Sequence, residues 1–307
     1  MGCGIVAFQK EKAVRRYGNT KMGYLFMSPF LVLFALFTIV PVLISLALSL
    51  TNYNMMETPD IIGITNFKLL ILDDKEFLIA LKNTLLFAVI SGPISFFASF
   101  IMAWLISNLK KLRNVFSLAF YAPSITSGVA MSTVWLYFFS SDSYGLINNV
   151  LLRMGLISEP IKWTLDPQYI LGVVVFISIW MGMGTGFLTF LAGLQGLNEE
   201  IYEAGMIDGI RNSVQELFYL TLPQMKPQLL FGAINGTVAA FGVFDIAVSV
   251  AGMPSPNYAA HTIVAHLYDY AFIRFDMGYA SAVAVILFLM TFVLGRVFMK
   301  VFSSKDQ

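Results

Sequence analysis

Six stretches of this chain stay apolar for twenty residues or more, at roughly 24–50, 79–109, 114–139, 170–194, 229–250 and 279–302. About 20 apolar residues in a helix cross the hydrocarbon core of a bilayer. Only 12% of the 307 residues are Asp, Glu, Lys or Arg. That is about half the charge of a soluble domain, too little to coat a surface in water. The net charge of +1 gives no basic surface for nucleic acid. The class is therefore an all-α membrane protein with six transmembrane helices. Pro29 and Pro41 fall in the first stretch, Pro93 in the second and Pro123 in the third. Neighbouring helices can satisfy the carbonyls that such residues free, so bent spans are expected.

The chain starts with a basic stretch, Lys10, Lys12, Arg15, Arg16 and Lys21, ahead of the first span. That span is too long for a signal-peptide core and has no small-residue cleavage site, so it reads as retained. The single cysteine, Cys3, excludes an internal disulfide frame and follows no apolar stretch. The opening Met-Gly-Cys-Gly-Ile-Val lacks the Ser or Thr of a myristoylation signal.

Lys and Arg in the loops set orientation. With the N-terminus in the cytoplasm, 13 of the 19 basic residues lie on that side, among them Lys110, Lys111, Arg113, Arg211, Lys226, Arg296, Lys300 and Lys305. Lys68, Lys75, Lys82, Arg153, Lys162 and Arg274 fall outside, together with 10 of the 18 acids. Both termini are therefore expected in the cytoplasm. In the second outer loop, apolar positions 146, 147, 150, 151 and 154 predict a short amphipathic helix at the interface.

The loop between the fourth and fifth stretches carries the strongest signal. Asn198 is a good N-cap, and Glu199 and Glu200 sit where the helix dipole favours negative charge. Leu197 and Tyr202 have staple spacing, and Gly209 suits a left-handed helix end. Ser213 with Glu216 three residues on predicts a second helix with a capping box, and Pro223 forbids its straight continuation. The loop is thus expected to be a helix–turn–helix. From spacing alone its apolar face rests on lipid or on its own bundle, or it docks a partner.

Glu203-Ala204-Gly205, then Asp208-Gly209, then Leu220-Thr221-Leu222-Pro223 resembles the EAA loop of ABC-importer permeases. Gly205 stands for the usual second Ala and Leu220 for the usual Ile, with one extra residue before Leu-Pro. The stretch Tyr268 to Ala282 resembles the approach to the last span in sugar-type permeases of the maltose and glycerol-phosphate kind. Ser28-Pro29-Phe30, Pro41 and Ser49-Leu50-Thr51 are also similar to theirs. Ala251-Gly-Met-Pro-Ser-Pro256 departs from the usual T-G-G-G-P.

The resemblance implies a type I ABC-importer permease-like bundle in the bacterial cytoplasmic membrane. Residues 1–23 would be a cytoplasmic segment, 24–302 the permease domain with its coupling loop at 195–227, and 303–307 a cytoplasmic tail. It implies a permease subunit of an ATP-driven importer for a sugar or oligosaccharide, working by alternating access. Glu203, Ala204, Gly205, Asp208 and Gly209 would seat on an ATPase, with Leu220, Leu222 and Pro223 fixing the exit. Implied partners are a second homologous permease, two ABC ATPases, an extracytoplasmic solute-binding protein, the sugar and membrane lipid. No Lys follows a Gly, so the chain lacks a Walker A loop. The chain is read as non-catalytic and without a cofactor of its own, ATP and Mg being bound by the ATPases.

For the substrate path, Asp245 is the one ionisable residue clearly inside a span, where charge is costly. It either meets substrate or reaches interfacial water and a structural partner. Asn235 lies ten residues earlier on the same span. Gly182-Met-Gly-Thr-Gly186 permits close helix approach or local unwinding. Thr185 and Trp180 could hydrogen-bond and stack on a sugar, or simply pack. His261, His266 and Asp269 at spacings of five and three read as outer surface rather than a metal site. The alternative class is a secondary, ion-coupled transporter, for which one peripheral Asp is a poor relay.

Overall fold

The computed structural model describes residues 20–109 and 111–302. Cys3, the basic stretch through Arg16, Lys110 and the tail 303–307 lie outside the described residues. The chain divides into two compact units, one ending at Ala47 and the other beginning at Leu48.

The first unit is built on α1 (Met22–Leu48), none of whose most apolar stretch is buried. Its helix widens to a π turn over Ala35–Ile39, two residues before Pro41, with Val40 N donating to Ala35 O. Proline has no N–H and its ring crowds the carbonyl four residues back. The wider turn gives the ring room and re-pairs the carbonyls, so the helix continues.

The second unit contains α2 (Thr65–Leu72), α3 (Lys75–Ser107), α4 (Arg113–Ile125), α5 (Gly128–Phe138), α6 (Leu146–Arg153) and α7 (Ile170–Gln195). It continues with α8 (Glu199–Ile207), a second arm over 213–224, α9 (Lys226–Phe241), α10 (Asp245–Ala251), α11 (Ile263–Tyr268) and α12 (Met277–Phe302). Among the described residues five helices or joined pairs suffice to cross a membrane, α9 and α10 acting as one. The third predicted span is not a single helix: α4 and α5 meet at 97°. Thr126 adopts an extended conformation there. Pro123, and the Ser124 and Thr126 hydroxyls bonded to Tyr121 O and Ala122 O, favour that break over a continuous helix. Counted as one broken span, the pair makes six. α3, by contrast, runs unbroken through Pro93.

Packing fixes the helix directions. Phe87 meets Val174 and Ile177 in one cluster, and Phe100 meets Phe187 and Phe190 in a second, so α3 and α7 run parallel. α9 runs against them, with Leu229 in the second cluster and Ala240 in the first. Phe190 receives Phe96 and Phe100 edge-on at centroid distances of 5.2 and 5.6 Å. A third cluster joins Leu70, Phe77, Ile263, Tyr279 and Val283, bringing the start of α12 to the start of α3. In lipid such contacts hold by shape and close packing, since the apolar surround gives no hydrophobic drive between helices.

The polar end of the bundle is held by asparagines. Asn148, at 0% exposure in α6, donates to Ser140 O, Asp142 O and Ile161 O. Its Oδ1 accepts from Ile161 N and Trp163 Nε1. Asn83 donates to Tyr258 O and His261 O, and Asn66 to Ser49 O and Thr51 O.

Candidate functional site

A cavity of about 460 Å³ lies where α3, α7 and α9 meet the two helix breaks, at α4–α5 and α9–α10. Ser91, Ser95 and Ser99 of α3 line it at intervals of four, a polar stripe down one face of an otherwise apolar helix. That stripe is the signal of this wall in the sequence, weak because serine is unexceptional in a membrane helix. Ser124, Thr126 and Gly128 enter from the α4–α5 break. Phe87, Phe96, Phe190, Phe231 and Phe244 supply the apolar wall.

Three of the four path residues expected from sequence line this cavity: Thr185, Asn235 and Asp245. Trp180 does not. It packs edge-on against Trp135 at 5.2 Å, within an aromatic group that includes Phe139 and Phe176. Asp245 opens α10, where the helix dipole favours a carboxylate. It also abuts the first residue of α5: a β-carbon on Gly128 would lie 3.7 Å from Asp245 Cβ. The glycine run divides its work. Gly182 and Gly186 line the cavity, while Gly184 lets α4 approach so closely that an added β-carbon would strike Ser124.

At the far end of α7 the chain forms the expected helical hairpin. Asn198 Oδ1 caps α8 by accepting from Glu200 N at 3.0 Å. Gly209, at φ +97°, ends it; Gly209 N donates to Met206 O and Ile210 N to Gly205 O. This paired Schellman closure needs a residue at ease in the left-handed region. The second arm starts at Ser213, as the sequence suggested, but its cap lies one residue earlier. Asn212, not Ser213, is the cap, accepting from Gln215 N at 2.7 Å, and Gln215 Oε1 accepts from Arg211 N. Asn212 caps in place of Ser213, being as good a cap, and Gln215 reaches back to the amide just before the cap rather than to the cap's own. Pro223 does not stop the arm: a π turn over Leu217–Thr221 ends two residues before it, as ahead of Pro41. Tyr202 turns its hydroxyl to that of Thr221, 3.0 Å away, tying the first arm to the second.

The hairpin has an inner and an outer side. Leu197, Leu217 and Leu222 pack against the second cluster, and Gly205 is buried against Leu220. Glu203, Ala204, Asp208, Gly209 and Pro223 are exposed. So are Met206, Ile207 (87%), Phe218 and Tyr219.

At the opposite end of α3, His261 and His266, expected at an outer surface, are buried, and His266 joins a cluster around Asp74. Asp74 caps α3 with Oδ1 on Phe77 N, while Oδ2 accepts from Tyr279 and Tyr270 and lies 3.1 Å from His266 Nε2. The His266 contact is close but poorly directed, so the ring gains electrostatic attraction rather than a linear hydrogen bond. Burial pushes the Asp74 carboxyl up, but the Tyr279 hydroxyl, the Phe77 amide and His266 together hold it below its usual value. Burial lowers His266 despite Asp74, and lowers His261 to about 4. Burial, then Asp74, raises Tyr270 to about 12. Among the described residues no group of His, Cys, Asp and Glu fits a metal ion.

The chain matches the family described as the binding-protein-dependent transport system inner membrane component over residues 95–305. It is 34% identical to the probable ABC transporter permease protein YesP of Bacillus subtilis over 299 residues, covering 95% of this chain and 94% of that one. It is 31% identical to the lactose transport system permease protein LacF of Rhizobium radiobacter, covering 98% and 100%. The trehalose/maltose transport system permease protein MalF of Thermococcus litoralis is 28% identical, covering 93% and 95%. In fold the chain resembles a bacterial ABC transporter chain involved in importing the acidic polysaccharide alginate, with a TM-score of 0.79 at 21% identity, covering 94% and 96%. The chain is a multi-pass membrane protein and belongs to the family of binding-protein-dependent transport system inner membrane components.

Proposed function

We propose that this chain is a permease subunit of an ATP-driven importer for a sugar or oligosaccharide, pairing with a second permease, two ABC ATPases and a solute-binding protein. The observation that carries the coupling half is the hairpin: two capped arms braced on the bundle, with Ile207, Met206, Phe218 and Tyr219 left uncovered. Apolar side chains on a polar, capped hairpin fit a protein groove better than water. In this reading Glu203, Ala204, Asp208 and Gly209 face the ATPase, while Gly205, Leu220 and Leu222 keep the two arms rigid. Closure of the ATPase dimer then moves the hairpin as a body, and the bundle switches access. The hairpin end is cytoplasmic, as are both termini. Thr185, Asn235 and Asp245 serve the path, and the similarity to LacF and MalF supports a sugar as cargo.

Reconstitution of the complete transporter in vesicles tests the proposal. Sugar uptake should require internal ATP and survive an ionophore. Uptake that follows an ion gradient and ignores ATP would establish the secondary-transporter alternative instead.

A further inference from the structure

We infer that the cavity selects uncharged, polyhydroxylated saccharides and discriminates against carboxylated or sulfated ones, an inference that rests on the reading of the cavity as a sugar path. The hydroxyl protons of its walls are already committed. Ser91 donates to Phe87 O at 2.7 Å, Ser99 to Met183 O at 2.9 Å, Ser124 to Tyr121 O at 2.8 Å and Thr126 to Ala122 O at 3.0 Å. A hydroxyl has one proton and two lone pairs, so each of these oxygens has acceptor capacity left and no proton to give. Asp245 adds an acceptor-only carboxylate. Among the described lining residues none is Lys, Arg or His. The uncommitted side-chain donors are few: Ser95, Asn235 and Ser178, whose Oγ is buried without a partner.

This is a wall that wants protons from its ligand. A neutral sugar supplies them, because every hydroxyl carries its own. A uronate or sulfate brings oxygens that only accept, together with a negative charge that must leave water for a site with no cation and one like charge. Such a transfer is strongly unfavourable. The phenylalanines accept the C–H faces of either class equally and do not discriminate.

The test uses the assembled transporter in nanodiscs without its binding protein, so that the membrane path is the only filter. Equilibrium dialysis would measure retention of radiolabelled neutral tetrasaccharides of glucose, galactose and arabinose against tetragalacturonate and tetramannuronate. Wild type should hold at least one neutral tetrasaccharide about tenfold more tightly than either uronate. Asp245→Lys should cut that ratio about fivefold or more, and the isosteric Asp245→Asn, which carries the test should Asp245→Lys fail to assemble, about threefold. Uronates held as tightly as neutral sugars, or a ratio that neither variant moves, would overturn the inference and leave the sugar-permease reading standing. If no glycan of either class is held, and the complete transporter takes up none with ATP, that underlying reading falls and this inference with it.

Discussion

Leu220 fills the space that Gly205 leaves empty. A β-carbon on Gly205 would fall 2.7 Å from Leu220 Cδ1 and 3.2 Å from Ile210 Cδ1. These are the two positions at which the loop departs from the Ala and Ile of the motif it resembles. The departures are complementary: the arm that lost a methyl receives a side chain branched one carbon further out. The hairpin therefore keeps its two arms in contact by a different division of the same volume.

Gly205→Ala tests that complementarity. Alanine gains roughly 0.5–1 kcal/mol of helix propensity over glycine, but here it forces the Leu220 tip aside. The single variant should change stability by less than about 1 kcal/mol, the two effects nearly cancelling. In a Leu220→Ala background the closest obstruction is gone and only the Ile210 tip need give, so the same change should stabilise by most of the propensity gain, up to about 1 kcal/mol. Thermal unfolding of the four members of the cycle measures the coupling. Additive effects would show that the two side chains do not compete for space.

Gly209 is constrained differently. Nothing lies within 4 Å of a β-carbon placed there, yet its φ is +97°. The cost of substitution is thus conformational rather than steric, about 1–2 kcal/mol for any residue with a β-carbon. Gly209→Ala and Gly209→Val should both weaken copurification of the ATPase and uncouple ATP hydrolysis from uptake, valine more than alanine because its β-branch fits a positive φ worse. Assembly and transport unchanged in both would remove the turn from the coupling mechanism.

The hairpin was legible because its signals are local: the Asn198 side chain caps an amide two residues on, and Gly209 and Pro223 act through their own backbone. The one-residue error in the second cap arose where Asn212 and Ser213, both capable caps, stand side by side. The cavity was half legible. Asp245 and Asn235 stand out as polar residues in apolar stretches, whereas the serine stripe at 91, 95 and 99 is individually unremarked in a membrane helix. The Asp74 cluster was hidden because its members come from positions 74, 266, 270 and 279. His266 and Tyr270 share a helical spacing, but only the packing of α12 against α3 brings Asp74 and Tyr279 to them.

Asn148 should be the least replaceable polar residue of the α6 region. It makes five hydrogen bonds at zero exposure, two of them through Oδ1. Asn148→Ala strands three carbonyls and two donors, a loss of roughly 3–5 kcal/mol if only part of them reaches water. Asn148→Asp is nearly isosteric but sets an acceptor against the carbonyls of Ser140, Asp142 and Ile161. Both should raise hydrogen exchange across 140–165 by at least about tenfold, with exchange in α9 unchanged. Protection retained in Asn148→Asp would mean that shape, not donation, is what holds this region.

Acid should loosen the Asp74–His266 end of the bundle first. His261 is buried and titrates near 4 when folded, against about 6.5 when unfolded. Its neighbours Glu76 and Asp269 favour its protonation and His266 and Arg274 oppose it, but burial dominates. The unfolded chain therefore binds the proton first, and stability is lost as pH falls from about 6.5 towards 4. The shift corresponds to roughly 3 kcal/mol for His261. His266, also lowered, adds a loss of the same sign. Asp74 follows at lower pH: its folded carboxyl sits below the unfolded value, so its contribution is complete above about 4 and vanishes as pH drops through the folded value. Hydrogen exchange over 258–273 should accelerate between pH 6.5 and 4 after correction for intrinsic rates. His261→Gln should remove most of that slope while leaving the Asp74 loss below it. A slope unaltered by the substitution would place the acid sensitivity elsewhere in the bundle.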